Sequence, residues 1–218
     1  MNYKYIFKAV AVSAVAVVFS IGCDDEGGDG GGNTVDLNNP NNGGNPSVTT
    51  FQDSRDGKTY KTVKVGGNTW MAENLNRATA KSKCYGNDTS NCAKYGRLYN
   101  WADAKSACPS GFHLPSNDEW AALVDYAGGV STAGTKLKAT SGWYNNGNGT
   151  DDYGWSALPG GRGNSGGDFD SGVFSGYWWS ATEGDGDTRC KFMNYNDEYV
   201  YWNGDFKTYF CSVRCVQN

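Results

Sequence analysis

Leu114-Pro-Ser-Asn-Asp-Glu-Trp-Ala-Ala-Leu-Val-Asp-Tyr-Ala-Gly-Gly129 decides the fold class. Ser116 and Glu119 stand three apart, the spacing of a capping box: the hydroxyl caps the first turn while the carboxylate reaches back to the capping residue's N–H. Trp120, Leu123, Val124 and Ala127 follow at i, i+3, i+4 and i+7, one apolar stripe of a helix. Gly128 and Gly129 end it. Upstream, Leu98 to Ala107 has helical character, with Trp101, Ala104 and Cys108 in step. Downstream, Thr132–Lys138 admits a short helix. Farther out the period changes to two. Lys58–Val65 reads as a strand entered through the Asp56-Gly57 turn, and Gly66-Gly67-Asn68 leads into a second at Thr69–Ala72. After a loop region from Ser141 to Gly176, the stretches 177–182, 189–195, 198–202 and 209–216 read as closing antiparallel strands. Two helices between sets of antiparallel strands, with a long loop region, make an α+β domain. Trp70, Trp120, Trp178 and Trp179 are the expected core, with one of the last two facing out if both lie in one strand.

Before this domain the composition changes twice. Lys4 and Lys8 precede an apolar run from Ala9 to Gly22. A basic start, a short apolar core and a small residue before Cys23 read as a signal peptide over residues 1–22. The core is about 14 residues, short of the ~20 that span a bilayer, which disfavours a retained membrane helix. Gly22-Cys23 is similar to a bacterial lipobox, although Ser20 replaces the usual aliphatic residue; ordinary secretion is the alternative. Lipidated Cys23 would hold the protein to the cell envelope, and the only membrane contact expected is through that anchor. The Asp24-Asp25-Glu26 cluster leaves the target membrane open, with the outer membrane or cell surface favoured over the inner membrane. Residues 27–50, rich in Gly and Asn, cannot bury enough surface to order themselves and read as a tether. Residues 51–218 form one domain.

The chain has 19 basic and 23 acidic residues. Without Lys4 and Lys8 it is near −6, and no basic run appears, which argues against a nucleic-acid partner. There are seven cysteines. With Cys23 lipidated, six remain for disulfides in an exported domain. Cys211 and Cys215, on one strand face ~13 Å apart, are too far apart to bond each other. Of fifteen pairings, Cys84–Cys92, Cys108–Cys215 and Cys190–Cys211 are expected. Zinc is disfavoured because CxxC is missing and His113 is the only histidine.

Asp53–Val65, Trp70-Met-Ala-Glu-Asn-Leu75, Tyr95-Gly-Arg-Leu-Tyr99, Cys108–Ser116, Asp152-Tyr-Gly-Trp-Ser-Ala-Leu-Pro-Gly-Gly161, Tyr177-Trp-Trp-Ser-Ala-Thr182 and Ser212-Val-Arg-Cys215 together resemble the Fibrobacter succinogenes major paralogous domain family. That family is similar to the C-type-lectin-like and formylglycine-generating-enzyme folds, a link visible in Leu-Pro-x-x-x-Glu-Trp at Leu114–Trp120. The resemblance implies a C-type-lectin-like fold and an envelope location rather than an activity. Against the family pattern, Cys190 and Cys211 look like a joint addition, which fits one extra bridge.

No catalytic residue is expected. Formylglycine-type oxidation needs a metal-holding cysteine pair, and Cys211 matches no such position. Asp151 and Asp152 are adjacent, which does not make a hydrolase pair, although a hydrolase stays open as the third reading. His113 next to Leu-Pro reads as structural. No cofactor is implied. Calcium is the only cation considered: Asn146, Asn148, Thr150 and Asp152 offer alternate oxygens, against the simpler reading that these side chains close their own loop. Trp202-Asn203-Gly204-Asp205 is similar to a lectin Trp-Asn-Asp motif, interrupted by Gly204. The favoured reading is a binding surface for a polysaccharide or a surface protein. Its rings are Trp143, Tyr144, Tyr199, Tyr201 and Trp202, and Asn146, Asn148, Asp152, Asn203 and Asp205 supply polar groups. A structural envelope protein without a ligand is the alternative.

Overall fold

The computed structural model describes residues 46–183 and 188–218. The leader, Cys23 and the tether to residue 45 lie outside the described residues. The described chain is α+β. Its strands are β1 (Val48–Gln52), β2 (Thr59–Val65), β3 (Asn68–Met71), β4 (Leu98–Asn100), β5 (Phe112–His113), β6 (Arg162–Gly163), β7 (Phe169–Asp170), β8 (Ser175–Glu183), β9 (Thr188–Asn194), β10 (Tyr201–Asp205), β11 (Phe210–Ser212) and β12 (Val216–Gln217). Its helices are α1 (Thr89–Tyr95), α2 (Trp101–Ala107), α3 (Asn117–Tyr126) and α4 (Ala133–Leu137).

Helix α3 starts as the sequence indicates. Ser116 Oγ accepts from Glu119 N, and Glu119 Oε2 accepts from Ser116 N at 2.8 Å. Two helices become four: α4 falls on the short stretch noted above, whereas α1 lies partly inside the loop between Cys84 and Cys92. Asp88 caps α1 by accepting from Ser90 N. Strand β1 begins at Val48, inside the stretch read as tether.

One sheet runs β1-β2-β3-β12-β5, and the other β10-β9-β8-β11-β6-β7 with β4 also on β11. Most pairs are antiparallel; β11 runs parallel to β8, with Ser212 opposite Trp178. The sequence 209–216 reads as one strand, but the chain breaks it at Val213-Arg214-Cys215. The first piece enters one sheet and the second enters the other.

Trp178 and Trp179 are both fully buried, which corrects the expectation that one faces out. They do point to opposite faces of β8, but each face is covered. Trp178 joins Trp70, Trp120 and Trp155 in one core, with ring centroids 5.2–6.1 Å apart. Trp179 packs with Met71, Tyr99 and Trp101 in the other core and donates its indole N–H to Tyr99 O at 2.6 Å. Such ring pairs contribute about 0.5–1.5 kcal/mol each beyond their buried area.

Two expected disulfides are present, Cys84–Cys92 and Cys108–Cys215, with Cα atoms 4.9 and 5.9 Å apart. The expected Cys190–Cys211 bridge is not formed. Both side chains are buried, but Cys190 lies opposite Trp179 in β9 and Cys211 opposite Tyr99 in β11. Strand β8 runs between β9 and β11, so the two cysteines are not on neighbouring strands.

Candidate functional site

Five of the sequence motifs meet at one buried polar hub. Arg214 is 1% exposed. Its Nε and Nη2 donate to Asn74 Oδ1 at 3.2 and 2.9 Å, Nη2 also to Ser156 O at 3.3 Å, and Nη1 to Trp155 O. The guanidinium plane lies 3.8 Å from the Trp155 ring centroid. Asn74 Oδ1 also accepts from Trp178 Nε1 at 2.8 Å, and Asn74 Nδ2 donates to Tyr95 O at 2.9 Å and Ser212 Oγ at 3.3 Å. Burial works against the Arg214 charge and lowers its pKa, while Asp151 and Glu73 favour the charge from a distance. Its direct acceptors are neutral oxygens. Gly96, at φ +76, lets the chain after α1 lie against this hub: a Cβ there would come 2.7 Å from Asn74 Cβ. These groups bind one another and leave little for chemistry.

A cleft of about 510 Å³ opens beside the hub, between β2, the 72–76 segment, the end of α1 and the 154–158 loop. An ion pair with a buried carboxylate holds the β1–β2 turn. Arg55 grips Asp53 through Nε and Nη2 at 2.9 and 2.7 Å and donates to the Ala107 and Cys108 carbonyls that end α2. The Arg55 guanidinium holds the Asp53 carboxyl below its ordinary range.

Two aromatic groups lie elsewhere, the first running from buried Tyr177 out to exposed Tyr199. Tyr201, Phe192 and Tyr177 are direct cross-strand neighbours on β10, β9 and β8. Tyr199 extends this row at one end, and the Arg162 guanidinium covers Tyr177 at the other. The rings are near-parallel, at 16–26°, with centroids 4.7–5.6 Å apart. Rings stacked in this way cover one another's faces. A second cluster joins Tyr144, Phe174 and Tyr195, at 4.8–5.7 Å and steep angles. Tyr144 is 50% exposed and Phe174 42%. Backbone bonds fix both: Tyr144 N donates to Val173 O and Tyr195 N to Phe174 O. Buried Lys138 holds the turn carrying Tyr195 through the Asn194 and Asp197 carbonyls, at 3.1 and 2.8 Å.

The five rings expected to form one surface are therefore divided. Trp143 is a core residue: its indole N–H donates to Ala157 O at 2.9 Å. Tyr144 belongs to the exposed cluster, and Tyr199 and Tyr201 to the stacked row. Trp202, next along β10, faces the other way and lies over the buried Lys191 ammonium. Asn203 shares the Tyr201 face by alternation. Asp205 ends β10, and its side chain lies outside the described residues. Asn148 Oδ1 accepts from Trp143 N at 3.0 Å and Thr150 Oγ1 donates to Thr135 O at 3.4 Å, so both side chains act in loop closure. Asn146 and Asp152 are exposed. Sequence reasoning missed Phe174, Phe192, Tyr177 and Tyr195; the period-two spacing of Tyr177 and Phe192 on strands was the available signal.

Other reactive groups are occupied. His113 bonds Glu119 and Asn218, each at 2.7 Å, and so joins β5, the start of α3 and the residue after β12. Asp151 turns inward and accepts from Ser156 N and Oγ at 2.7 and 2.5 Å. Burial raises its pKa against those bonds. Among the described residues, no group of three or more His, Cys, Asp or Glu side chains is placed to hold a metal, and no helix is long and apolar enough to cross a membrane.

The Fibrobacter succinogenes major domain matches residues 63–217, a span that begins in β2, ends in β12 and contains the whole hub. No curated protein and no solved structure matches the chain. The match takes in well over half the chain and the motifs that pack against Asn74 and Arg214, and the protein belongs to the Fibrobacter succinogenes major domain family.

Proposed function

We infer that the protein is a lipid-anchored, non-catalytic binding module of the cell envelope. Its partner is a polysaccharide or a surface protein. The observation that carries this reading is the Tyr144–Phe174–Tyr195 cluster. Two large rings stand half-exposed on loops whose backbones are hydrogen-bonded in place, a rigid apolar platform of the kind that recognition surfaces use. The stacked row is the weaker half of the surface, since its ring faces are covered and mainly edges and hydroxyls remain.

The α+β arrangement supports assigning it further to the C-type-lectin-like folds. The first and last strands share a sheet, a stretch whose only strands are the two-residue β6 and β7 separates α4 from β8, and Leu-Pro-x-x-x-Glu-Trp leads into α3. Acylation of Cys23, with attachment at the outer membrane or cell surface, accounts for the leader and the tether. Mass spectrometry of the amino-terminal peptide checks the anchor.

Binding is tested by retention of the Cys23→Ser chain on insoluble glycans and on isolated cell envelopes. Tyr144→Ala and Phe174→Ala are expected to weaken retention at least about tenfold, the effect of a ~1.4 kcal/mol contact. Retention on neither material, or retention indifferent to both substitutions, would leave a structural envelope role instead.

A further inference from the structure

The cleft beside the hub has a charge that the chain as a whole does not. The protein carries a net charge of −4, yet the residues lining the cleft carry four cations, Lys58, Lys61, Lys94 and Arg214, against one carboxylate, Glu73. The cations come from three separate stretches of sequence, 58–61, 94 and 214, and meet only in the fold. Lys58 is partly offset: its ammonium donates to Asn76 O and lies 3.5 Å from Asp56 Oδ2. Glu73 accepts from the backbone N–H of Lys61 at 2.8 Å. Lys94 sits over the Tyr95 ring, with Nζ 4.9 Å from the centroid. Lys61 and Lys94 are exposed on the two rims.

Arg214 forms the floor. Among the described residues no carboxylate lies within ion-pair distance of it; its four hydrogen bonds end on carbonyl and amide oxygens. A buried cation with neutral acceptors keeps its field, because the low-dielectric surroundings screen it weakly. Cations on both rims above such a floor focus that field into the opening. The volume, about 510 Å³, falls within the ~300–1,000 Å³ of small-ligand sites. The neutral lining includes Thr59, Asn74, Asn76 and Ser156, residues of the polar kind that suits hydroxyl groups.

We propose that this cleft binds the carboxylate of an acidic saccharide, one or two uronic-acid rings deep, with Lys61 and Lys94 contacting the anion and Arg214 supplying the field beneath it. The site shares no residue with the Tyr144–Phe174 surface and does not depend on that surface having a ligand.

The test is isothermal titration of the full chain in detergent with trigalacturonate. Maltotriose serves as the neutral trimer and inorganic phosphate as the bare anion. Trigalacturonate should bind, more weakly as salt rises, and maltotriose should not bind at the same concentrations. Lys61→Glu with Lys94→Glu should weaken binding roughly tenfold or more, with the thermal transition unchanged because both side chains are exposed. Lys61→Gln with Lys94→Gln should give a smaller loss in the same direction, which keeps the test readable if charge reversal disturbs the fold. Tyr144→Ala should bind trigalacturonate like the parent. No binding of trigalacturonate, binding indifferent to the lysine variants, or binding lost with Tyr144→Ala would overturn the site. Phosphate binding as tightly and displacing trigalacturonate would overturn the saccharide assignment.

Discussion

The Asn74–Arg214 hub and the Tyr144–Phe174–Tyr195 cluster use side chains with similar capabilities to opposite ends. In the hub, one amide bonds a guanidinium, an indole, a backbone carbonyl and a serine hydroxyl, all out of water. In the cluster, large rings are left half in water by loops that are themselves fixed. The hub draws side chains and carbonyls from five of the seven motifs through which the family is recognised. In the hub, motif membership marks a buried polar constraint, whereas Tyr144, Phe174 and Tyr195 lie outside the motifs.

The difference can be tested by substitution, with the largest effect expected in the hub. Arg214→Ala leaves Asn74 Oδ1 and two carbonyls short of a donor and opens a void beside Trp155. A loss of about 3–5 kcal/mol is expected by denaturant unfolding, as for a broken buried charge network. A loss under about 1 kcal/mol would show that the hub is not what holds the two sheets together. Replacing both Cys108 and Cys215 by Ser should lower stability by about 2–4 kcal/mol. The same change at Cys84 and Cys92 should have a smaller effect, because that loop spans 8 residues against 107.

Next is the Asp53–Arg55 pair. Asp53→Ala should reduce stability by about 1–3 kcal/mol, the range for hydrogen bonds to a charged group. The folded pKa of Asp53 is depressed, so its contribution is present above the unfolded value of 3.8 and is lost as pH falls through the folded pKa. The difference between parent and Asp53→Ala should therefore shrink on acidification. His113 gives a smaller effect of opposite sign. Burial opposes its charge, but the bonds to Asn218 and Glu119 outweigh burial and raise its pKa above 6.5. Its contribution is full below 6.5 and fades as pH rises through the folded value; pH-dependent melting of His113→Ala against the parent measures it. Smallest of all, Tyr144→Ala should change stability by no more than about 0.5 kcal/mol while removing binding. A large stability loss there would make the cluster a structural element and erase the contrast with the hub.

Helix α3 was legible because a capping box and an apolar stripe are local signals, and β2, β3, β8 and β9 because period two is local as well. Helix α1 was masked by a Tyr-Gly-Asn-Asp-Thr-Ser-Asn run that reads as turn; its support comes from Asp88 and from the disulfide at Cys92. The second buried tryptophan of the 178–179 pair was missed because alternation says which face a residue takes, not whether that face is covered. The third bridge failed because pairing depends on strand order, which no local spacing encodes. Three of the seven rings in the two aromatic groups, Tyr144, Tyr199 and Tyr201, were legible because they lie where polar loops and late strands are evident. Trp143 sits beside them in sequence but turns inward to a carbonyl 14 residues away. The basic cleft was invisible: its cations are spread from Lys58 to Arg214 in a chain with an acidic excess.

Strands β11 and β12 follow every other strand in order, yet each is an interior member of its sheet, between β8 and β6 in one and between β3 and β5 in the other. Neither sheet can zip up progressively as the polypeptide emerges. The earlier strands must wait, unpaired along their inner edges, until one short crossing segment arrives and is locked to Cys108. Assembly of this kind is dominated by distant partners and should be slow. In the export proposed above, such slow closure would leave the chain open to a narrow translocation channel.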